Sequence, residues 1–194
     1  SVVPTMQAAW AAFATRYLHT VPLVVGSDTV QTGMPVLIDN PTEIGADRLV
    51  NGVAAYARFK CALIVVDFGT AITWDCVSTA GEYLGGAIAP GLSIAMEALG
   101  SRTAKLPQVD ISTPPGAAIG TNTVAAIKSG ILFGYGGMVD GLIRRLREQM
   151  DPELPQAVAT GGMATLIAPY TTTIDHVDPM LTLNGLQLLH ERNA

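Results

Sequence analysis

Hydrophobic periodicity divides the chain into a helical opening, a strand-rich middle and a helical end. Residues 5–19 (TMQAAWAAFATRYLH) form an Ala-rich run that predicts a helix. Residues 22–25 and 34–39 (MPVLID) predict two short strands, the second broken by Asn40-Pro41. From Glu43 the period lengthens, and Ile44, Leu49, Val50, Val53, Ala54 and Ala57 mark one face of a helix ending near Lys60. Residues 62–66 (ALIVV) are the continuous apolar, β-branched run of a strand buried on both faces. That run stops at Asp67-Phe68-Gly69-Thr70, resumes over 71–78, turns at Thr79-Ala80-Gly81 and continues over 82–90, which predicts a three-stranded meander. A helix over 92–99 and a Pro-rich connection (Pro107, Pro114, Pro115) lead to Gly120-Thr121-Asn122-Thr123, which caps a helix starting near Val124. Glycines 130, 134, 136, 137 and 141 either let another helix approach closely or break this helical region in two. Residues 156–160 predict a strand, 161–163 a loop, 164–168 the start of a helix, and 181–192 an amphipathic helix. Strands alternating with helices, without a linker or short repeat, place the chain in the α/β class, as one unit or as two small lobes around a cleft.

Composition narrows the partners. Apolar residues make up 49% of the chain and charged residues 14%, a balance that fills a core and disfavours intrinsic disorder. So few charges also point to apolar surface covered in an oligomer. A net charge of -5 with scattered basic residues disfavours nucleic acid and anionic membranes. The Arg144-Arg145-Leu146-Arg147 cluster sits where a helix ends and complements its dipole there. No apolar run approaches the ~20 residues of a membrane helix. Cys61 and Cys76 suit core thiols of a reducing compartment, and the expected location is cytoplasmic. His19, His176 and His190 stand apart from one another and are expected to be structural, while Trp10, Trp74 and the methionines are expected to fill the core.

Three short segments can carry chemistry. Asp67 ends a buried strand, where a carboxylate can hold a cation near a phosphate. Gly69 leaves room for close backbone approach, and Thr70 offers a hydroxyl and an N–H. The same four residues also suit a plain hairpin turn. Gly45-Ala46-Asp47-Arg48 opens a helix whose positive end keeps Asp47 ionised, so that it can accept a proton from a hydroxyl, while Arg48 can grip an anion. Equally, these are the residues of an ordinary first helical turn. Thr160-Gly161-Gly162 joins a strand to a helix and suits either a phosphate contact or a simple turn.

The order of these segments adds what none carries alone. EIGADR (43–48), VVDFGTAIT (65–73), GEYLGGAIAPG (81–91), IGTNTVAAIKSG (119–130) and ATGG (159–162) resemble the successive motifs of type III pantothenate kinases. Residues 175–193 look like the actinobacterial branch of that family. The resemblance implies a duplicated actin-like, ribonuclease-H-like α/β fold of the sugar-kinase type. Residues 1–59 would be the remainder of a first, incomplete lobe and 60–194 the second. It implies transfer of the γ-phosphoryl group of ATP to pantothenate, giving 4′-phosphopantothenate, the first step towards coenzyme A. Asp47 then matches the proton acceptor, Gly45, Ala46, Asp47 and Arg48 the pantothenate segment, and Thr123 a further substrate contact. Gly69, Thr70 and Gly161 match the ATP contacts, and Asp67 a ligand of potassium (or ammonium), with Mg²⁺ accompanying ATP. A homodimer with its site at the subunit interface is implied as well.

Two departures stand out. Ile38 occupies a place where many relatives carry a substrate-contacting tyrosine, and no Asp-x-Gly-Asn-Thr phosphate loop occurs in the chain. The expectation is that this polypeptide by itself turns over little or no substrate. Rival readings are a non-catalytic transcriptional accessory factor of the same family and another actin-fold small-molecule kinase.

Overall fold

A computed structural model describes residues 4–27, 29–102, 107 and 109–194. Its frame is a five-stranded sheet of order β3-β2-β1-β4-β5. The strands are β1 (Leu63–Phe68), β2 (Ala71–Val77), β3 (Tyr83–Pro90), β4 (Gln156–Thr160) and β5 (His176–Val177). The expected meander is present: β1 pairs antiparallel with β2, and β2 antiparallel with β3. β4 and β5 extend the other side of β1 in parallel. A meander followed by parallel strands added beyond its first strand is the sheet of a ribonuclease-H-like half. β1 is central, which is why four of its six residues form an unbroken buried run.

Period-two alternation divides the core between the two faces of the sheet. Ile64, Val66, Phe68, Ile72, Trp74, Ala157 and Ala159 face one layer, where Ile131, Leu132, Val139 and Ile143 of helix α4 (Thr123–Gln149) and Ile167 of the short α5 (Ala164–Ile167) complete a core. Leu63, Val65, Val77, Tyr83 and Val158 face the other. That second layer is built by α2 (Ala46–Phe59) and α6 (Leu181–Arg192), which pack closely because Gly185 presents bare backbone to Val50. The remaining helices are α1 (Pro4–Phe13), extended by a π-turn over Ala14–Leu18, and α3 (Leu92–Arg102).

Three local expectations need correction, and one open alternative is decided. Residues 34–39 form a single parallel bridge, Val36 to Tyr83, because Pro35 has no N–H to give: its carbonyl accepts from Tyr83 N, and Leu37 N donates to Tyr83 O. Residues 22–25, headed by another proline, form no strand. The glycines of α4 do not break it; the helix runs 27 residues, with Gly136 set against the Tyr170 carbonyl and Gly130, Gly134, Gly137 and Gly141 facing open space. Trp74 is fully buried, as expected, but Trp10 is 57% exposed on α1, edge-on to Phe13. Cys61 and Cys76 are free thiols, and burial pushes Cys76 up to about 12. His176 stacks on Phe59 and hydrogen-bonds Gln156, a structural role. Among the described residues no group of three or more His, Cys, Asp or Glu side chains is placed to hold a metal, and no helix is long and apolar enough to cross a membrane.

Candidate active site

The face of the sheet beneath α2 is apolar at one end and polar at the other. Along β1 the inward residues run Leu63, Val65, Asp67; along β4 they run Val158, Thr160; along β2, read in the opposite direction, Val77, Asp75, Thr73. Register sets Thr73, Asp67 and Thr160 side by side in one row across three strands. The N-terminal turns of α2 lie over this row. One turn of helix separates Arg48 from Asn51, so both point down at the sheet.

Each makes a specific contact. Asn51 Nδ2 donates to Asp67 Oδ2 at 2.8 Å, and Asn51 Oδ1 accepts from Thr182 Oγ1 of α6 at 2.6 Å. Arg48 Nε donates to Asp75 Oδ1 at 2.7 Å. Asp75 is wholly buried and also accepts from Tyr83 OH (2.7 Å, Oδ1) and Thr73 Oγ1 (2.8 Å, Oδ2). Asp47, in the first turn of α2, folds back so that Oδ1 accepts from Arg48 N at 2.9 Å. Gly45 is the N-cap, and a Cβ there would stand 2.6 Å from Asp47 Oδ1.

The electrostatics follow from this crowding. Burial raises the Asp67 carboxyl above its ordinary value; the Asn51 hydrogen bond opposes that, while the charges of Asp47 and Asp75 add to it. Burial also raises Asp75, against the pull of Arg48, Tyr83 and Thr73. Asp67 therefore sits among carboxylates with an amide as its hydrogen-bond donor. A half-buried carboxylate so placed gains from a cation. With Thr160 beside it, whose buried hydroxyl has no partner among the described residues, the donor set is hard oxygen, the kind Mg²⁺ and K⁺ accept.

Beyond the row lies the turn between β1 and β2. Gly69 N donates to Ala71 O, and the Thr70 carbonyl accepts from Gly91 N, whose missing Cβ lets the two loops touch. A Cβ on Gly69 would meet only ordinary contacts within the chain. Gly161 (φ +90°) leaves the end of β4 against Asp67 and Phe68, where any Cβ would overlap both. Gly69, Thr70, Asp67 and Gly161 are thus one continuous surface.

On its other side Asp47, with Gly45, Ala46 and Thr182, walls a cleft of about 430 Å³ closed by Gln7, Trp10 and residues 22–25. Thr123 is not in this cleft. It lies in a separate open groove of about 570 Å³ with Leu99, Ile127 and residues 120–122, where Asn122 caps α4 by accepting from Ala125 N. Ile38 also lies apart, half-buried over Gly85. Asn51, Asp75, Thr73 and Tyr83 were not singled out from sequence as parts of the Asp47–Asp67 site. Their signal was a polar residue at an inward position of an otherwise apolar helix face or strand.

Comparison with known proteins places this arrangement. Residues 1–145 match the model of the type III pantothenate kinase family. A type III pantothenate kinase of a Geobacter species is 51% identical over 193 residues, covering 100% of this chain and 75% of the relative. That of Desulfatibacillum aliphaticivorans is 52% identical over 191 residues, covering 98% and 74%. Among solved structures, a conserved Baf family transcriptional activator from Campylobacter jejuni superposes with a TM-score of 0.54 at 22% identity, over 82% of this chain and 68% of that one. At that identity the likeness speaks for the fold alone, and the fold is actin-like. The polar row under α2, the cleft beside Asp47 and identities above one half along the whole chain lead to one assignment: this chain belongs to the type III pantothenate kinases.

Proposed function

We propose that Asp47 is the proton acceptor in ATP-dependent phosphorylation of pantothenate to 4′-phosphopantothenate, the reaction of this family and the entry to coenzyme A synthesis. The observation that carries the assignment is the placement of Asp47 and Arg48 on consecutive residues of α2, with Asp47 open to the cleft and Asp67 in the row below. Among the described residues Asp47 engages one backbone N–H, through Oδ1, so its second oxygen is available to a substrate hydroxyl. Arg48 is gripped through Nε, which leaves both terminal nitrogens for the pantothenate carboxylate. Gly69, Thr70 and Gly161 form the ATP-facing surface, with Asp67 the ligand for K⁺ or for Mg²⁺ entering with the nucleotide. A cation held there would supply positive charge beside the phosphates, which Asp67 and Thr160 are placed to orient.

Thr123 reaches the substrate from a second subunit, consistent with its distance in the fold from Asp47. The open glycine face of α4, with Phe133 exposed beside it, suits the dimer contact. Residues 1–59 and 60–194 are read as parts of two lobes, and the working location as the cytoplasm. The test is ADP release coupled to pantothenate in the kinase. Asp47→Asn should lower kcat about 10²–10⁴-fold, the usual contribution of a positioned base, while retaining pantothenate binding. Retention of wild-type turnover would remove Asp47 from the role.

A further inference from the structure

The Arg48 side chain is held from behind by a group to which the phosphoryl-transfer chemistry gives no part. Asp75 is fully buried in β2, opposite Val65 of β1 and Gly86 of β3. Its two oxygens accept three hydrogen bonds of 2.7–2.8 Å, from Arg48 Nε, Tyr83 OH and Thr73 Oγ1. The partners are themselves fixed. Tyr83 is buried, its ring lies 5.8 Å from the Arg48 guanidinium carbon, and its backbone is bound to Pro35 and Leu37 on the far side. Gly86 draws β3 tightly against the Trp74 carbonyl, so the strand carrying Tyr83 has little freedom beside β2.

A buried carboxylate is costly unless paired and hydrogen-bonded, and here one charge is matched by one guanidinium. Attachment through Nε, with the Tyr83 ring beside it, fixes the plane of the guanidinium. Its terminal N–H groups, which have no partner among the described residues, remain available to a ligand.

We propose that Asp75, braced by Tyr83 and Thr73, is a positioning residue that presets Arg48 for the substrate carboxylate and thereby sets preference for an acid over its neutral analogues. This rests on Arg48 being the carboxylate ligand. Preorganisation of this kind acts on the ground state and transition state alike, because the carboxylate is remote from the reacting hydroxyl. The expected signature is a change in KM with kcat retained.

The experiment compares pantothenate with pantothenol, in which a hydroxymethyl group replaces the carboxylate. Asp75→Asn should raise KM for pantothenate roughly 10–100-fold, the scale on which partners orienting a ligating side chain act. KM for ATP and all constants for pantothenol should change by less than about threefold, a difference too small to signal a lost charge-assisted contact. Added to Arg48→Gln, Asp75→Asn should contribute little more, since the two residues act through one contact. Equal losses for pantothenate and pantothenol would show a merely structural Asp75 and overturn the proposal, as would additive effects of the two substitutions. If Asp75→Asn does not fold, Tyr83→Phe, which removes one donor and keeps the ring, serves instead. It should shift the pantothenate-to-pantothenol preference in the same direction, and an unchanged preference overturns the proposal. Should Arg48→Gln itself leave that preference unaltered, the reading of Arg48 fails, and the role of Asp75 fails with it.

Discussion

A methyl group on residue 45 would stand 2.6 Å from Asp47 Oδ1, so the rotamer that turns Asp47 back over the start of α2 exists because residue 45 has no side chain. Gly45→Ala should therefore displace the carboxylate rather than unfold the helix, since Ala is acceptable at an N-cap to within about 1 kcal/mol. Turnover is expected to fall about 10–100-fold, the effect of an ångström-scale misplacement, with the melting temperature lowered by about 2–4 °C. Normal turnover would show that Asp47 reaches its working position from another rotamer. Gly161 is a harsher case: φ is +90°, and a side chain would strike both Asp67 and the Phe68 backbone. Gly161→Ala should cost about 1–3 kcal/mol in denaturant unfolding, as strained backbone positions do, and weaken ATP binding. The contrast between these residues and their neighbours shows what a sequence displays at this scale. Asp47, Arg48 and Asp67 stand at element ends, where polar residues are noticed as chemistry. Asn51, Asp75 and Thr182 lie inside elements and become meaningful only once α2, β2 and α6 are stacked.

Elements with a strong period were legible nearly to the residue. β4 and α6 occupy the predicted 156–160 and 181–192, because β4 is bounded by Pro155 and Gly161 and α6 keeps its apolar stripe throughout. The two-residue β5 has no pattern to detect, and its residues are exposed; it is a strand only because β4 offers an edge. What anchors that edge is a tertiary contact. Asp140 of α4 accepts hydrogen bonds from the backbone and hydroxyl groups of Thr172 and Thr173, just before β5. Burial by itself would raise the Asp140 carboxyl, but these four donors together outweigh it and hold it below the ordinary value of 3.8. A carboxyl lowered by folding stabilises the fold above its unfolded-state value, and that contribution is lost as pH falls through the lower folded value. Stability between neutral pH and about pH 5 should thus be flat with respect to Asp140 and decline below pH 4. Asp140→Ala leaves two N–H groups and two hydroxyls without their acceptor, a loss of about 2 kcal/mol or more at neutral pH. Urea titrations at pH 7 and pH 3 should show the mutant and parent converging at the lower value.

At the scale of the whole molecule, the feature hardest to foresee was which glycines face protein and which face nothing. Gly130, Gly134, Gly137 and Gly141 recur every three or four residues on α4, and a Cβ on any of them would meet open space. Within one chain, glycine at such positions only weakens the helix, by about 1 kcal/mol each relative to alanine. Gly137→Glu should therefore raise the helical stability of an isolated subunit. If the proposed dimer uses this face, the variant should sediment as a monomer and lose activity with it; a variant that sediments as a dimer would move the contact elsewhere. The exposed Trp10, Phe13 and Tyr17 were likewise beyond sequence reasoning, since an aromatic residue on an Ala-rich helix shows its burial only through what packs against it.

The sheet has two sides with different obligations, and this should leave a mark on mutational tolerance. Ile64, Val66 and Phe68 of β1 belong to the apolar core on the α4 side, where side chains of similar volume exchange at a cost usually under about 1.5 kcal/mol. Val65 and Asp67, one residue away on the same strand, look towards α2 and end in the polar row. Saturation mutagenesis of β1 scored by growth should accordingly alternate along the strand: permissive to apolar replacements at 64, 66 and 68, and closed to every replacement at 67. A selection with that two-residue rhythm would record, in survival alone, which side of the sheet does chemistry.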